Sequence, residues 1–456
     1  MNLFKVKMRD CFIVALVCLM YSVHGQNQDS TSNDNKRVLT IDECIIIAME
    51  NNIQLKRVRN NAKIAKANDF QAIMNFLPSL NGFGNYSLNN GTSFDNSSGQ
   101  FFTGNRESSF LNLNANLILF NGMRNVHRRR FAASNLDAQQ NLVTAQEQDL
   151  RSSVLGSYLS VVLDKENIKI SEARLELLQA QLSREEQRNS IGVGDLEQVY
   201  NFRSQLANEN LRLVNLKNRL MTDMLILLQT LQLEVSRDFD VASYSFDDEG
   251  ELVVLEEFKV VLDASLAYSP SLKSAESTAE AAKYNMKMAK SQSVPTLRLI
   301  GDYATQYSSL NSDTLGVTLP ISDQYSNLTN KSLEIRMTIP LFQNFRNNTD
   351  AQVARINMES AKLGVEQAEL DVTNTIQQVY VDLLSAQETY KAAQENLVAL
   401  TQSFDYVKTR YDNGNTDFYT YLESLNNKNR AEIELVNAKY SIVFRKKILD
   451  VYRGLL

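Results

Sequence analysis

Tryptophan is absent from this sequence, and only two histidines occur in 456 residues. One of them, His24, falls in a leader-like stretch, which leaves His127 as the only histidine of the remaining chain. A histidine-based triad or a zinc cluster lacks the side chains to be built. Cysteine is equally scarce: Cys11 and Cys18 belong to the same leader, so Cys44 stands alone and no internal disulfide is expected. Beyond the leader no apolar run approaches the roughly 18 residues of a transmembrane helix. Acidic residues are plentiful but scattered at solvated helical positions. Gly82-Phe83-Gly84 and Gly192-Val193-Gly194 lie outside the strand-to-helix setting of a phosphate loop. The sequence therefore points to no enzyme, no metal site and no cofactor.

What is present begins with an export signal over residues 1–25. Lys5, Lys7 and Arg9 precede the apolar run 11–23, and cleavage is expected after Gly25. Losing three basic residues and one acidic takes the net charge from −6 to −8, unsuited to nucleic acid. Residues 26–40 are polar and expected to be disordered.

The mature chain is a duplication. "NNIQLKRVRNNAKIAK" (51–66) matches "YSPSLKSAESTAEAAK" (268–283) at an offset of 217. Later matches, Tyr158 with Tyr380 and "LVNLKN" (213–218) with "LVNAKY" (435–440), hold an offset of 222. The expected organisation is a first repeat over 41–235, an irregular acidic linker over 236–257 and a second repeat over 258–456. Each repeat reads helix, proline (Pro78 or Pro295), strand, polar loop, strand, very long helix, glycine turn and shorter helix. The strands are expected at about 79–88, 109–120, 296–307 and 332–342. Twelve positions from Val372 to Tyr411, stepping by four and three, are all apolar or aromatic. That is a coiled-coil seam. Its first-repeat equivalent is weaker, with seven of twelve apolar.

Two strands alternate strictly. In "LNLNANLILF" (111–120), Leu111, Leu113 and Leu117 share one face and Asn112, Asn114 and Asn116 the other. In "LEIRMTIPLF" (333–342), Ile335 and Met337 oppose Glu334 and Arg336. Alternation alone also suits a half-buried strand over a soluble core. An exported chain with two such strands per repeat instead fits a transmembrane barrel, with the leucine face to lipid and the asparagine face to the lumen. Four strands cannot close, and lipid tolerates no open edge. Three chains give twelve strands, the smallest multiple with a usable lumen. Without tryptophan, the interfacial girdle falls to Tyr86, Tyr303, Tyr307, Phe110, Phe120 and Phe342.

In this order of elements, with "LFNGMRN" after the returning strand and the turns "IGVGDLEQVYNF" and "YDNGNTDFYTYLES", the chain resembles the TolC-like outer membrane efflux proteins over nearly all of its mature length. The second copy, "LFQNFRN", carries Asn344 in place of Gly122. The resemblance implies a mainly α fold with a small membrane β part. It would be a homotrimer whose 12-stranded barrel stands on a long periplasmic α-helical coiled-coil barrel. As partners it implies a periplasmic adaptor (membrane fusion) protein, an inner-membrane pump and outer membrane lipid. The function implied is a passive exit duct for tripartite efflux or type I secretion, placed in the outer membrane with most of the chain in the periplasm. The turns at Gly192, Gly194 and Gly414 would dock the adaptor. Glu423, with Asp417, Thr420 and Asp195 nearby, would form the pore tip. The alternative is an exported periplasmic coiled-coil scaffold or adhesin without a pore.

The basic run Arg124, His127, Arg128, Arg129 and Arg130 opens the first long helix. It reads equally as a solvated first turn or as a group meeting lipid phosphates, and it opposes the helix dipole.

Overall fold

The computed structural model describes residues 37–95, 99–234, 239–242, 256–311 and 317–455. The expected signal lies outside the described residues, as do most of 26–40 and of the linker. In chain order the elements are β1 (Arg37–Leu39), α1 (Ile41–Asn51), α2 (Ile53–Met74), β2 (Ser79–Asp95), β3 (Gln100–Phe120), α3 (Arg124–Ser190) and α4 (Leu196–Leu231). There follow β4 (Phe239–Val241), α5 (Phe258–Tyr268), α6 (Pro270–Lys290), β5 (Thr296–Ser308), α7 (Ile321–Asn327), β6 (Thr329–Thr338), α8 (Arg346–Asp412) and α9 (Phe418–Arg453). Strands β1 and β4 pair with each other, while β2, β3, β5 and β6 form an antiparallel sheet in that order. The chain divides into a small unit, whose described residues are 37–38 and 239–240, and a large one holding the other described residues. The large unit is mostly helical, with the four-stranded sheet as its β part.

The helical segment ahead of each pair of strands is two helices, where the sequence predicts one over 41–76 and one over 258–293. The breaks fall at Asn52 and, 217 residues later, at Ser269. Asn52 Oδ1 accepts from Leu55 N–H at 2.8 Å, and Ser269 Oγ from Leu272 N–H at 3.3 Å. Each side chain satisfies a donor that the first helical turn leaves orphaned. Pro270 at the first helical position reinforces the second break.

The long helices α3 and α8 have 67 residues each, about 100 Å at 1.5 Å per residue. Both start after two consecutive left-handed residues: Gly122 and Met123 (φ 64° for each), and Asn344 and Phe345 (φ 49° and 58°). Asn344 thus reproduces the backbone of Gly122, because asparagine is among the few residues that enter this region readily.

All twelve seam positions of α8 from Val372 to Tyr411 are buried or half-buried. The α3 equivalents are also buried or half-buried, although Ser157, Asp164, Ser171, Glu185 and Asn189 are polar. The weaker pattern is therefore a polar seam, held by ion pairs. Asp164, 1% exposed, lies 3.2 Å from Arg219 Nε. Ser171 donates to Glu209 at 2.6 Å, and Arg174 stands 3.3 Å from the same carboxylate. Glu185 accepts two bonds from Arg188 at 3.2 Å.

Laterally, α3 packs on α2 and α6, and α6 packs on α8, giving the order α2–α3–α6–α8. The hairpin α3–α4 meets the hairpin α8–α9 near the turns, where Leu178, Phe202, Phe404, Phe418, Tyr421 and Leu425 form one apolar cluster.

Candidate functional site

The sheet has two chemically opposite faces. Register places Leu113 opposite Tyr303, Leu117 opposite Leu299, Leu299 opposite Ile335, and Leu297 opposite Met337. With Leu80, Leu111 and Leu333 they make one apolar face spanning four strands. This face is open: Leu333 is 77% exposed, Ile335 66%, Met337 60% and Leu113 45%. Soluble domains rarely leave so continuous an apolar surface uncovered. From Leu111 to Leu119 it runs about 27 Å along β3. A barrel's strand tilt reduces that to about 20 Å, most of the roughly 25 Å apolar band of an outer-membrane barrel.

The other face carries Asn112, Asn114 and Asn116, with Asp302, Glu334 and Arg336 in line across β5 and β6. Asn114 Nδ2 donates to Asp302 Oδ1 at 2.8 Å, and Asn112 reaches the same oxygen at 3.4 Å. Glu334 accepts from Arg336 Nε at 2.7 Å and Nη2 at 2.9 Å. Thus the five residues expected on each face do share a face. Of the girdle, Tyr86, Tyr303 and Tyr307 fall on the apolar face. Phe110 pairs with Asn85 and Gln306 and stands on the polar one, a consequence of strand parity.

The strands depart from expectation at their ends. Where the sequence suggests a polar loop over 89–108, β2 and β3 continue as a paired ribbon as far as Asp95 and Gln100. Asparagine, serine and threonine suit this ribbon through cross-strand bonds such as Thr92 to Thr103 at 2.8 Å. Strand β6 stops at Thr338, short of the expected 342, because Pro340 has no N–H to pair. Sequence reading also misses α7. Its Gln324 is wholly buried, accepts from Ser308 N–H and Asn311 Nδ2 at 2.9 Å each, and donates to Ser308 O at 3.1 Å and Leu319 O at 2.8 Å. Tyr325 beside it bonds Ser109 through its hydroxyl and takes a 2.9 Å bond from Thr305 on its carbonyl. Both partners lie at the margin of the apolar face.

At the turns, Gly192 (φ 80°) and Gly414 (φ 74°) are left-handed. Val193 N–H returns to Arg188 O at 3.1 Å and Asn415 N–H to Arg410 O at 2.8 Å, the same helix-ending motif in both copies. Gly194 is required by crowding, since a Cβ there would lie 2.4 Å from Asn189 N. Asp195 and Asp417 are helix N-caps. Asp195 accepts from Glu197 N–H at 2.9 Å, and Asp417 from Thr420 N–H at 2.9 Å and Thr420 Oγ1 at 2.6 Å. The Thr420 bonds hold the Asp417 carboxyl below the usual carboxylate range. Glu423 is exposed on α9 with no ion pair among the described residues. Ties between the two repeats escape sequence reading: Arg184 to Asp412 at 3.1 Å, Tyr411 to Gln198 at 3.0 Å and Tyr419 to Glu197 at 2.8 Å.

Cys44 is wholly buried, and burial pushes its thiol up to about 12, so it packs as a small apolar group. Among the described residues no helix is long and apolar enough to cross a membrane.

A duplicated pair of long helical hairpins carrying a two-faced β-sheet is the build of outer membrane efflux channels. The model of the outer membrane efflux protein family matches residues 45–231 and 261–449, and the chain belongs to that family. It is 23% identical over 329 residues to outer membrane protein TolC of Salmonella enteritidis, covering 68% of this chain and 62% of that protein. The chain thus spans about three fifths of that relative's length. Its fold is similar to VceC of Vibrio cholerae, with TM-score 0.75, 15% identity and coverage of 91% of this chain and 96% of that one. It is also similar to the CmeC outer membrane channel of Campylobacter jejuni, with TM-score 0.70, 19% identity and coverage of 91% and 85%.

Proposed function

We propose that three copies of the chain close head to tail into a passive duct through the outer membrane, with the helices in the periplasm and residues 1–25 serving for export. The observation that carries this reading is the exposed apolar face of the four-stranded sheet. Its edges, β2 and β6, are antiparallel to one another when repeated around an axis, so each chain's β6 meets the next chain's β2. Twelve strands then form a barrel with no open edge. The helical layer ends on the corresponding elements. Ile64 and Phe70 on α2, and Ile356, Leu363 and Leu370 on α8, are apolar and exposed in one chain. Pairing α8 with the neighbour's α2 covers them and completes a heterologous ring.

In this assembly Asn112, Asn114, Asn116, Glu334 and Arg336 line the lumen, and Leu111, Leu113, Leu117, Ile335 and Met337 face lipid. The turns at Gly192, Gly194 and Gly414 dock a periplasmic adaptor that links the duct to an inner-membrane pump. Glu423 supplies the acidic ring at the tip. Asp195 and Asp417 serve mainly as caps, and Thr420 completes the second cap. Transport through the duct needs no cofactor and no catalytic residue of its own. A periplasmic scaffold would have to cover the apolar face, and no described element does.

Purified oligomer inserted in a planar bilayer is expected to conduct ions, with Glu423→Ala weakening block by multivalent cations. A folded oligomer that inserts and carries no current overturns the duct.

A further inference from the structure

We infer that the foot of the sheet holds a binding site for phosphate-type oxyanions, formed by the guanidinium groups of Arg124, Arg128 and Arg298. The chain that leads into α3 is fastened to the start of β5. Ser291 Oγ donates to Gly122 O at 2.8 Å, and a Cβ on Gly122 would lie 2.7 Å from Val294 Cβ. Ile118 and Phe120 pair with Arg298 and Leu297. This brings Arg124, the first residue of α3, and Arg128, one turn further on the same helix face, to the end of β5 that carries Arg298. Arg298 lies on the polar face and stands opposite Arg336 across β5 and β6.

The acids nearby are already taken. Glu334 holds Arg336 at 2.7 Å, Asp69 holds Arg129 at 2.5 Å, and Glu280 holds Lys283 at 2.9 Å. Arg124, Arg128 and Arg298 make no ion pair among the described residues. Arg124 is half-buried, and its Nε is closed to solvent without a hydrogen-bond partner. Burial, then the charges of Arg128 and Arg298, push its guanidinium below the ordinary arginine range. The N-terminus of α3 adds positive potential and has no side-chain cap. Like charges sharing one end of the sheet favour an anion among them, and guanidinium forks suit the paired oxygens of a phosphate. The phosphate group belongs either to a lipid headgroup at the membrane boundary or to a soluble anion in the duct. The site takes from the proposed function only the assembly of the sheet in a membrane.

Calorimetric titration of the delipidated full-length oligomer in non-ionic detergent with inorganic phosphate tests this. Saturable binding is expected, weakened at least tenfold in Arg124→Gln/Arg298→Gln and weakened less in Arg124→Lys/Arg298→Lys, which keeps the charge but loses the fork, with size-exclusion profiles showing the same oligomer for all three. Repeating the titration in phosphatidylglycerol nanodiscs separates the sources. Loss of phosphate binding there marks a site filled by headgroups, and persistence marks a site open to the duct. Absence of phosphate binding in detergent, or equal binding by the wild type and the glutamine variant, overturns the inference while leaving the conductance test of the duct untouched.

Discussion

Asn114 donates to Asp302 at 2.8 Å across β3 and β5, while the residues just before and after that pair, Leu113 and Tyr303, stand opposite each other on the reverse face. One residue of parity separates a hydrogen-bonded polar surface from an uncovered apolar one. Leu113→Arg or Met337→Arg should therefore cost roughly 2–4 kcal/mol if the side chain meets lipid near the midplane. The check is the yield of oligomer extracted from outer membranes. It should fall sharply for both variants and stay near wild type for Asn112→Arg, on the opposite face.

The polar seam of the first repeat should respond to acid. Burial pushes the Asp164 carboxyl up to about 6, Asp223 acts in the same direction, and Arg219 opposes. The unfolded group titrates near 3.9, so between about pH 4 and pH 6 the folded chain keeps a proton that the unfolded chain releases. Stability from this group therefore falls as pH rises through that window and is level above it, a change of at most about 3 kcal/mol. Thermal unfolding of Asp164→Asn should show a larger gain over wild type at pH 7.5 than at pH 4.5.

In the proposed duct, the ties at the turns would hold the two hairpins of each chain together at the tip and so limit its opening. Tyr419→Phe with Arg184→Ala removes the bonds to Glu197 and Asp412, exposed contacts worth about 0–1 kcal/mol each. Bilayer recordings should show a several-fold higher open fraction, with the oligomer intact.

Gln324 should matter more than its place in a loop suggests. Gln324→Ala leaves the Ser308 N–H and the half-buried Leu319 carbonyl without their partners, while Ser308 O keeps the Asn311 N–H at 3.1 Å, at a cost of about 1–3 kcal/mol for each group that water fails to reach. Hydrogen exchange should quicken at Ser308 and along β5, leaving α8 unchanged.

Much of this was legible in the residues because periodicity reports burial. The seam from Val372 to Tyr411 and the alternation of 111–117 carry over directly into buried and two-faced surfaces. Three features were not. The Asn52 and Ser269 breaks hide inside an unbroken apolar pattern, since a cap changes the backbone without changing the buried face. The first repeat's seam looked weak because Asp164 and Ser171 are buried against partners far along the chain, Arg219 and Glu209, which no local pattern shows, while Glu185 is buried against Arg188 one turn away. The β2–β3 ribbon looked like a loop because its side chains bond across strands rather than enter a core. At the turns the sequence assigns an acidic ring to Glu423 with Asp417 as its aid, and it does not reveal that Asp195 and Asp417 cap the helices that follow.

The most direct measurement is native mass spectrometry of the complex extracted from outer membranes. Three chains in one particle, disrupted by Leu113→Arg, is the expected result. A membrane-extracted particle of one chain would leave the sheet with open edges, and one of two chains would close only eight strands around an interior filled by side chains; either would contradict the twelve-stranded duct.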